Sequence, residues 1–200
     1  HLGNEWSKGL SERWITQAVE NSLKRLHTER IDLYFSRWPD PETPYEETLR
    51  AYEQLLTAGK IRAIGASNLN ATQRGTALEV ARTHNLPRYE VLQPEYNLYD
   101  RAEFDGPLKE LCLENSLGVI TYYSLASGFL SGKYRSSKDL SQSARGDGIA
   151  KYLNERGLRI IEALETVAAR HTAKPAEIAL AWPIASKGVT APIASATRRE

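Results

Sequence analysis

Four short β-prone runs recur along the chain at an almost constant interval. They begin at Ile31 (Ile-Asp-Leu-Tyr-Phe), Ile61 (Ile-Arg-Ala-Ile-Gly-Ala), Val91 (Val-Leu-Gln-Pro) and Val119 (Val-Ile-Thr-Tyr-Tyr), in steps of 30, 30 and 28 residues. That interval is the length of one βα unit. Strands that alternate with helices are joined by right-handed crossovers and therefore run parallel. Two architectures remain: an open doubly wound sheet or a (β/α)8 barrel.

The stretches between the runs carry helical periodicity. Ile15, Val19, Leu23 and Leu26 form one apolar stripe, and Ser11 is the expected N-cap of that helix. Thr43-Pro44-Tyr45-Glu46 predicts the next start, with Thr43 as N-cap, Pro44 at the first helical position and Glu46 completing a capping box. Gly59 ends that helix. Further helices are expected over 70–84 and 107–115. After the fourth run the period breaks, and residues 124–148 read as a long polar loop of the kind that is usually functional. Helical patterns over 150–171 and 175–186 follow, with Pro183 expected to kink or shorten the second. A last apolar run from Val189 to Ser195 reads as a fifth strand.

Two features favour the barrel. The Gly-x-Gly-x-x-Gly fingerprint of a dinucleotide-binding open sheet is missing. Polar or aromatic residues also close every run: Ser36-Arg37-Trp38, Ser67-Asn68, Gln93, Tyr122-Tyr123 and Ser195. In a barrel these carboxyl ends converge on one mouth, where active sites lie. Only five βα units are found, however, so three strands of an eight-stranded barrel are unaccounted for.

Composition narrows the partners. The 26 basic and 25 acidic side chains leave a net charge of +1, and 41% of the 200 residues are hydrophobic. That balance argues against nucleic acid and membrane surfaces as partners, since both demand clustered cations. The single cysteine, Cys112, excludes an internal disulfide framework and fits a reducing, cytoplasmic compartment as a buried small hydrophobe. There is no methionine at all. A chain opening on His1 with neither a signal peptide nor an acylation motif reads as a processed or cut piece.

Candidate chemistry is sparse. His27, His84 and His171 each fall at a helix C-terminus, where an imidazolium is favoured by the helix dipole, so capping is their expected role. No metal is expected, because no Cys/His pair has ligand spacing and no His-Glu-x-x-His occurs. A Gly-x-Ser-x-Gly elbow is also missing. What remains at the strand ends suits a polar, flat, anionic ligand. Ser67, Asn68 and Gln93 offer the donors and acceptors a carboxamide needs. Tyr122 offers a flat face, and Lys133, Arg135 and Arg145 offer cations for phosphates.

The segments Ser22-Leu23-Lys24-Arg25-Leu26, Ile31-Asp32-Leu33-Tyr34, Gly59 to Asn68, Gln93-Pro94-Glu95-Tyr96-Asn97 and Gly128 to Tyr134 resemble the aldo-keto reductases. The likeness is greatest to bacterial members related to potassium-channel β-subunits and covers nearly all of residues 8–200. The resemblance implies a (β/α)8 barrel with strands 4–8 present as one partial barrel domain over 1–200. It also implies an oxidoreductase that uses NADPH to reduce an aldehyde or ketone to the alcohol by hydride transfer. Carried over, Ser67, Asn68 and Gln93 match the positions that hold the nicotinamide carboxamide, and Tyr122 the aromatic stacked on its ring. Tyr123, Leu125 and Gly128 match the pyrophosphate-binding strand end and loop, with Lys133 and Arg145 as basic partners. Ser195 and Thr197 match the adenosine-phosphate end.

The resemblance implies a catalytic tetrad of Asp, Tyr, Lys and His, of which only the His position falls in these residues. There the sequence has Arg37. Arginine is permanently charged and cannot take over a neutral imidazole's role. Trp38 matches a substrate-pocket position. The general-acid Tyr is expected outside these residues, so the 200-residue segment alone is expected to be inactive. The alternative is a non-catalytic NADP(H)-binding or regulatory subunit that has lost the catalytic His. A small carbonyl compound is the expected partner, and unpaired strand edges favour self-association.

Overall fold

A computed structural model describes residues 9–142 and 146–195. The chain divides into two compact units, His1–Gln93 and Pro94–Glu200. The first unit follows the βα period closely. It runs α1 (Glu12–Leu26), β1 (Ile31–Ser36), α2 (Tyr45–Thr57), β2 (Ile61–Ser67), α3 (Ala71–Thr83) and β3 (Val91–Gln93). All three strands are parallel. Ile31 pairs with Ile61, Ser36 with Ala66, Gly65 with Val91, and Ser67 with Gln93.

The helices cover this sheet with the stripes their spacing predicts. Ile15, Val19 and Leu23 of α1 are buried, as are Leu49, Tyr52 and Leu55 of α2 and Ile61 and Ile64 of β2. Burial of each such side chain contributes about 1.5–3 kcal/mol before entropy is counted. Leu26, on the α1 stripe by spacing, is instead 63% exposed. It is the last helical residue, where the chain leaves α1 through His27 in the left-handed conformation.

Helix ends divide into expected and corrected. His27, His84 and His171 are C-cap residues. Asn70 caps α3, and its side chain and that of Gln73 exchange bonds with each other's backbone N–H. Ser11 is the N-cap residue of α1, but its side chain makes no capping bond. The Thr43 capping box does not form either: α2 starts one residue later, with Pro44 at the cap. The reason is competition, since the Thr43 hydroxyl donates to Asp40 Oδ2 at 2.6 Å.

Under β1 lies a chain of hydroxyls. Ser36 Oγ sits 2.8 Å from the Tyr52 hydroxyl and 2.9 Å from that of Tyr89, all buried. Burial pushes the Tyr89 phenol up to about 12 and that of Tyr52 further still. Because a buried hydroxyl stripped of one partner forfeits about 1 kcal/mol, Tyr52→Phe is expected to lower stability by that amount. A urea midpoint unchanged from wild type would contradict this.

The second unit contains α4 (Pro107–Glu114), β4 (Gly118–Thr121), α5 (Gly146–Ile149), α6 (Glu155–Arg170), α7 (Pro175–Ala185) and β5 (Ala191–Pro192). β4 and β5 are parallel, with Ile120 opposite Ala191. The expected fifth strand is thus only two residues long. Pro183 lies two residues from the end of α7, so it ends that helix rather than kinking its middle. Cys112 is buried, as expected.

The polar loop expected over 124–148 is the main correction. It holds 3-10 turns over Ala126–Ser131 and Ser137–Gln142, and another over Ala150–Tyr152 follows. Ala126, Phe129, Leu130, Tyr134 and Ile149 pack with Tyr152, Ile161, Leu164 and Ala179 into one core cluster. Ser and Gly dominate the segment's composition, yet irregularly spaced apolar anchors secure it. No helix among the described residues is long and apolar enough to cross a membrane.

Candidate functional site

In the first unit the expected residues gather at the carboxyl ends of the strands. The register that sets Ser67 opposite Gln93 lets the buried Ser67 hydroxyl donate to the Gln93 carbonyl at 2.7 Å. Asn68 follows β2 in the left-handed conformation, φ 59°, which asparagine tolerates better than most residues. From there its Nδ2 donates to the Arg37 carbonyl at 2.8 Å. Arg37, Ser67, Asn68 and Gln93 are therefore drawn together by bonds that cross from β1 to β2 to β3. No hydrogen bond is formed by the Gln93 carboxamide among the described residues, and it follows directly on the backbone carbonyl that Ser67 engages. That donor set fits a planar amide, which needs both donors and acceptors. Trp38 is 60% exposed.

In the second unit Tyr122 continues from β4 as an isolated bridge to Glu95. Its N–H donates to the Pro94 carbonyl at 3.0 Å, and its carbonyl accepts from Tyr96 N at 3.2 Å. The Tyr122 and Tyr123 rings meet edge to face, with centroids 5.1 Å apart. Tyr123 is exposed and left-handed, as are Ala126, Ser127 and Gly128 in backbone conformation. In this run Ala126 N donates to the Tyr123 carbonyl at 2.7 Å and Gly128 N to the Leu125 carbonyl at 2.8 Å, so the segment is closed by its own backbone bonds. Leu125 precedes them and Gly128 closes the run at φ 102°. Lys133 is exposed, with its ammonium 5.1 Å from the Tyr134 ring centroid. Arg135 pairs with Glu165 and is less available as a phosphate partner. Ser195 is exposed beyond β5, while Arg145 and Thr197 lie outside the described residues.

Two features of this unit are absent from the sequence expectations. The first is Asn97, fully buried, whose Nδ2 donates to the Tyr123 carbonyl at 3.1 Å. Its Oδ1 accepts from Tyr99 N and Asp100 N, both at 2.8 Å. The Asn-x-x-Asp spacing is an Asx-turn signal that could have flagged it. The second is a polar clasp. Asp100 Oδ2 accepts from the Tyr152 hydroxyl at 2.6 Å and from Lys151 Nζ at 3.1 Å, and Lys151 also lies 3.8 Å from Glu95. Burial, then the Asp100 charge, raises the Glu95 carboxyl above its ordinary value. Burial acts on Asp100 in the same direction, but bonds from Tyr152 and Lys151 outweigh it and hold that carboxyl low. Among the described residues no cluster of His, Cys, Asp or Glu could hold a metal ion.

Parallel strands separated by helices, with polar side chains collected at the carboxyl ends, define a chain of the parallel α/β class. Its family follows from sequence comparison: residues 2–200 match the profile of the aldo/keto reductase family, and the chain belongs to that family, whose fold is the (β/α)8 barrel. It is 44% identical over 119 residues to Aldo-keto reductase YhdN of Bacillus subtilis strain 168, covering 60% of this chain and 34% of that protein. It is 33% identical over 196 residues to a probable voltage-gated potassium channel subunit beta of Oryza sativa subsp. japonica, covering 96% and 60%. To L-glyceraldehyde 3-phosphate reductase of Escherichia coli K12 it is 28% identical over 201 residues, covering 98% and 58%. The chain thus spans between about a third and three fifths of the length of these relatives.

Proposed function

We propose that this chain carries the later part of an NADPH-dependent reductase that converts aldehydes or ketones to alcohols. The observation that supports this reading best is the bonded row of Arg37, Asn68, Ser67 and Gln93 at the ends of β1, β2 and β3. In it the Gln93 carboxamide, without a hydrogen bond among the described residues, suits the nicotinamide carboxamide. When bound, the cofactor supplies the hydride. The protein's own residues supply placement: Ser67, Asn68 and Gln93 orient the carboxamide, and Tyr122 offers the stacking face. Tyr123, Leu125 and Gly128 cradle the pyrophosphate, with Lys133 and Arg145 as cations, and Ser195 and Thr197 meet the adenosine phosphate. Orientation of this kind contributes through positioning rather than proton transfer. The general-acid Tyr belongs to residues outside these 200. We place the protein in the cytoplasm, on the strength of a lone buried Cys112.

Arg37 favours a second reading. At the family's His position stands a permanent cation that can donate hydrogen bonds but not shuttle a proton near neutrality. The related chain named as a potassium channel subunit makes a non-catalytic NADP(H)-binding subunit the natural competitor. Titration of the full-length protein with NADPH, followed by turnover of a simple aldehyde, separates the two. The reductase reading expects saturable binding and NADPH oxidation. Tight binding without turnover supports the subunit, and no binding overturns both. The 200 residues alone are expected to oxidise no NADPH.

A further inference from the structure

Asn97 is fully buried, and its carboxamide is engaged at both ends. Oδ1 accepts from Tyr99 N and Asp100 N, both at 2.8 Å, while Nδ2 donates to the Tyr123 carbonyl at 3.1 Å. Turned over, the amide would set its NH2 against two N–H groups and its oxygen against a carbonyl, so its orientation is unambiguous. The two ends do different things. Oδ1 closes the turn 97–100, to which the main chain adds a bond from Asn97 N to the Asp100 carbonyl at 3.0 Å. An aspartate would close that turn as well, because an Asx-turn asks only for an acceptor. What aspartate lacks is the N–H group directed at Tyr123.

The carbonyl that Nδ2 meets belongs to a strained residue. Tyr123 is left-handed at φ 52°, a conformation that a bulky side chain keeps only when its surroundings enforce it. Its carbonyl also accepts from Ala126 N at 2.7 Å, so both lone pairs are engaged. One residue earlier, Tyr96 N donates to the Tyr122 carbonyl at 3.2 Å and Tyr122 N to the Pro94 carbonyl at 3.0 Å. The consecutive residues Tyr96 and Asn97 thus hold the consecutive carbonyls of Tyr122 and Tyr123. From this dipeptide the two rings meet edge to face, with centroids 5.1 Å apart. Without the Asn97 donor, Tyr123 loses one of the two bonds on its carbonyl, and the ring braced against Tyr122 is freed to move.

We propose that Asn97 is a positioning residue for the cofactor: its amide donor fixes the Tyr122–Tyr123 dipeptide so that the Tyr122 ring stands preformed as the face on which nicotinamide stacks. The proposal rests on the reductase reading, which gives Tyr122 that partner. A preformed face binds more tightly because no ordering penalty falls on the binding step. Asn97, being fully buried, acts through Tyr122 and Tyr123.

The test follows binding to the full-length protein by calorimetric titration with NADPH and with 2′-phospho-ADP-ribose, which keeps the pyrophosphate and lacks the nicotinamide. Titrations are run at about pH 8, so that a carboxyl introduced at position 97 is ionised and has no proton to donate. Asn97→Asp is expected to weaken NADPH about tenfold, the size of one aromatic stacking contact, and to leave 2′-phospho-ADP-ribose within about twofold of wild type. Tyr122→Leu is expected to do the same. The double variant is expected to bind NADPH no more weakly than Tyr122→Leu alone, since a positioning residue acts only through the ring it positions. Asn97→Ser, neutral and with a hydroxyl that stops one bond short of Nδ2, is expected to repeat the pattern and carries the test where a buried aspartate leaves too little folded protein. Equal losses for both ligands, or losses that add in the double variant, would overturn the positioning role and leave Asn97 a purely structural residue. NADPH binding weakened by Tyr122→Leu but unmoved by either change at Asn97 would overturn it too, with the reductase reading intact. NADPH binding unmoved by Tyr122→Leu would sink the cofactor placement of that reading and the proposal with it.

Discussion

Gly157→Ala is expected to destabilise the chain by about 3 kcal/mol, although on a helix the same change usually stabilises by up to about 1 kcal/mol. The sign reverses because of what lies over the first turn of α6. A Cβ at position 157 would stand 1.9 Å from the Tyr152 carbonyl oxygen and 3.0 Å from Phe129 Cζ. The oxygen belongs to the backbone and cannot swing aside as a side-chain tip would. Either α6 must withdraw or the 3-10 turn Ala150–Tyr152 must move, and both are fixed. Gly157 N donates to Asn154 Oδ1 at 3.0 Å, and the Tyr152 ring stacks on Phe129 with centroids 5.3 Å apart. Since one kcal/mol moves the midpoint of a protein this size by about 2–4 °C, thermal unfolding is expected to shift down by about 6–12 °C. A neutral or stabilising result would show that the two segments do not approach as closely as described.

How much of this was legible in advance depends on the range of the interactions. Strand starts at Ile31, Ile61 and Val91 and the helix ends at His27, His84 and His171 rest on local pattern, which the sequence carries on its face. The Thr43 cap failed on a contact three residues away, because Asp40 competes for the same hydroxyl. The segment over 124–148 departs from its polar-loop pattern for a different reason. Its buried residues Ala126, Phe129, Leu130 and Tyr134 follow no helical or strand period, and their burial depends on α6 and α7. For the candidate site, the strand-end rule located Arg37, Ser67, Asn68 and Gln93, since a parallel sheet places every carboxyl end on one side. The clasp joining Asp100 to Lys151 and Tyr152 bridges more than fifty residues and left no local trace.

That clasp carries the second large expected effect. Asp100→Ala is expected to cost about 1–3 kcal/mol, because the buried Tyr152 hydroxyl loses its acceptor and Lys151 its closest counterion. The effect is expected to depend on pH with two opposed limbs. Asp100 has its carboxyl held below the ordinary 3.8, so its contribution is present above that value and is lost as pH falls beneath it. Glu95 is raised above the ordinary 4.5, so its contribution is full below 4.5 and is lost as pH rises through its elevated folded value. The groups facing the pair are Lys151, Tyr152 and Glu103. Acidification through the elevated Glu95 value therefore stabilises, and acidification below the ordinary 3.8 destabilises through Asp100. Urea titrations across pH 3–8 are expected to show the neutral-side limb flattened in Glu95→Gln and the acid-side limb weakened in Asp100→Asn. Identical profiles for wild type and Glu95→Gln would mean that burial and the Asp100 charge do not raise the Glu95 carboxyl. In that case the clasp would act through Asp100 alone, and the profile would keep only its acid limb.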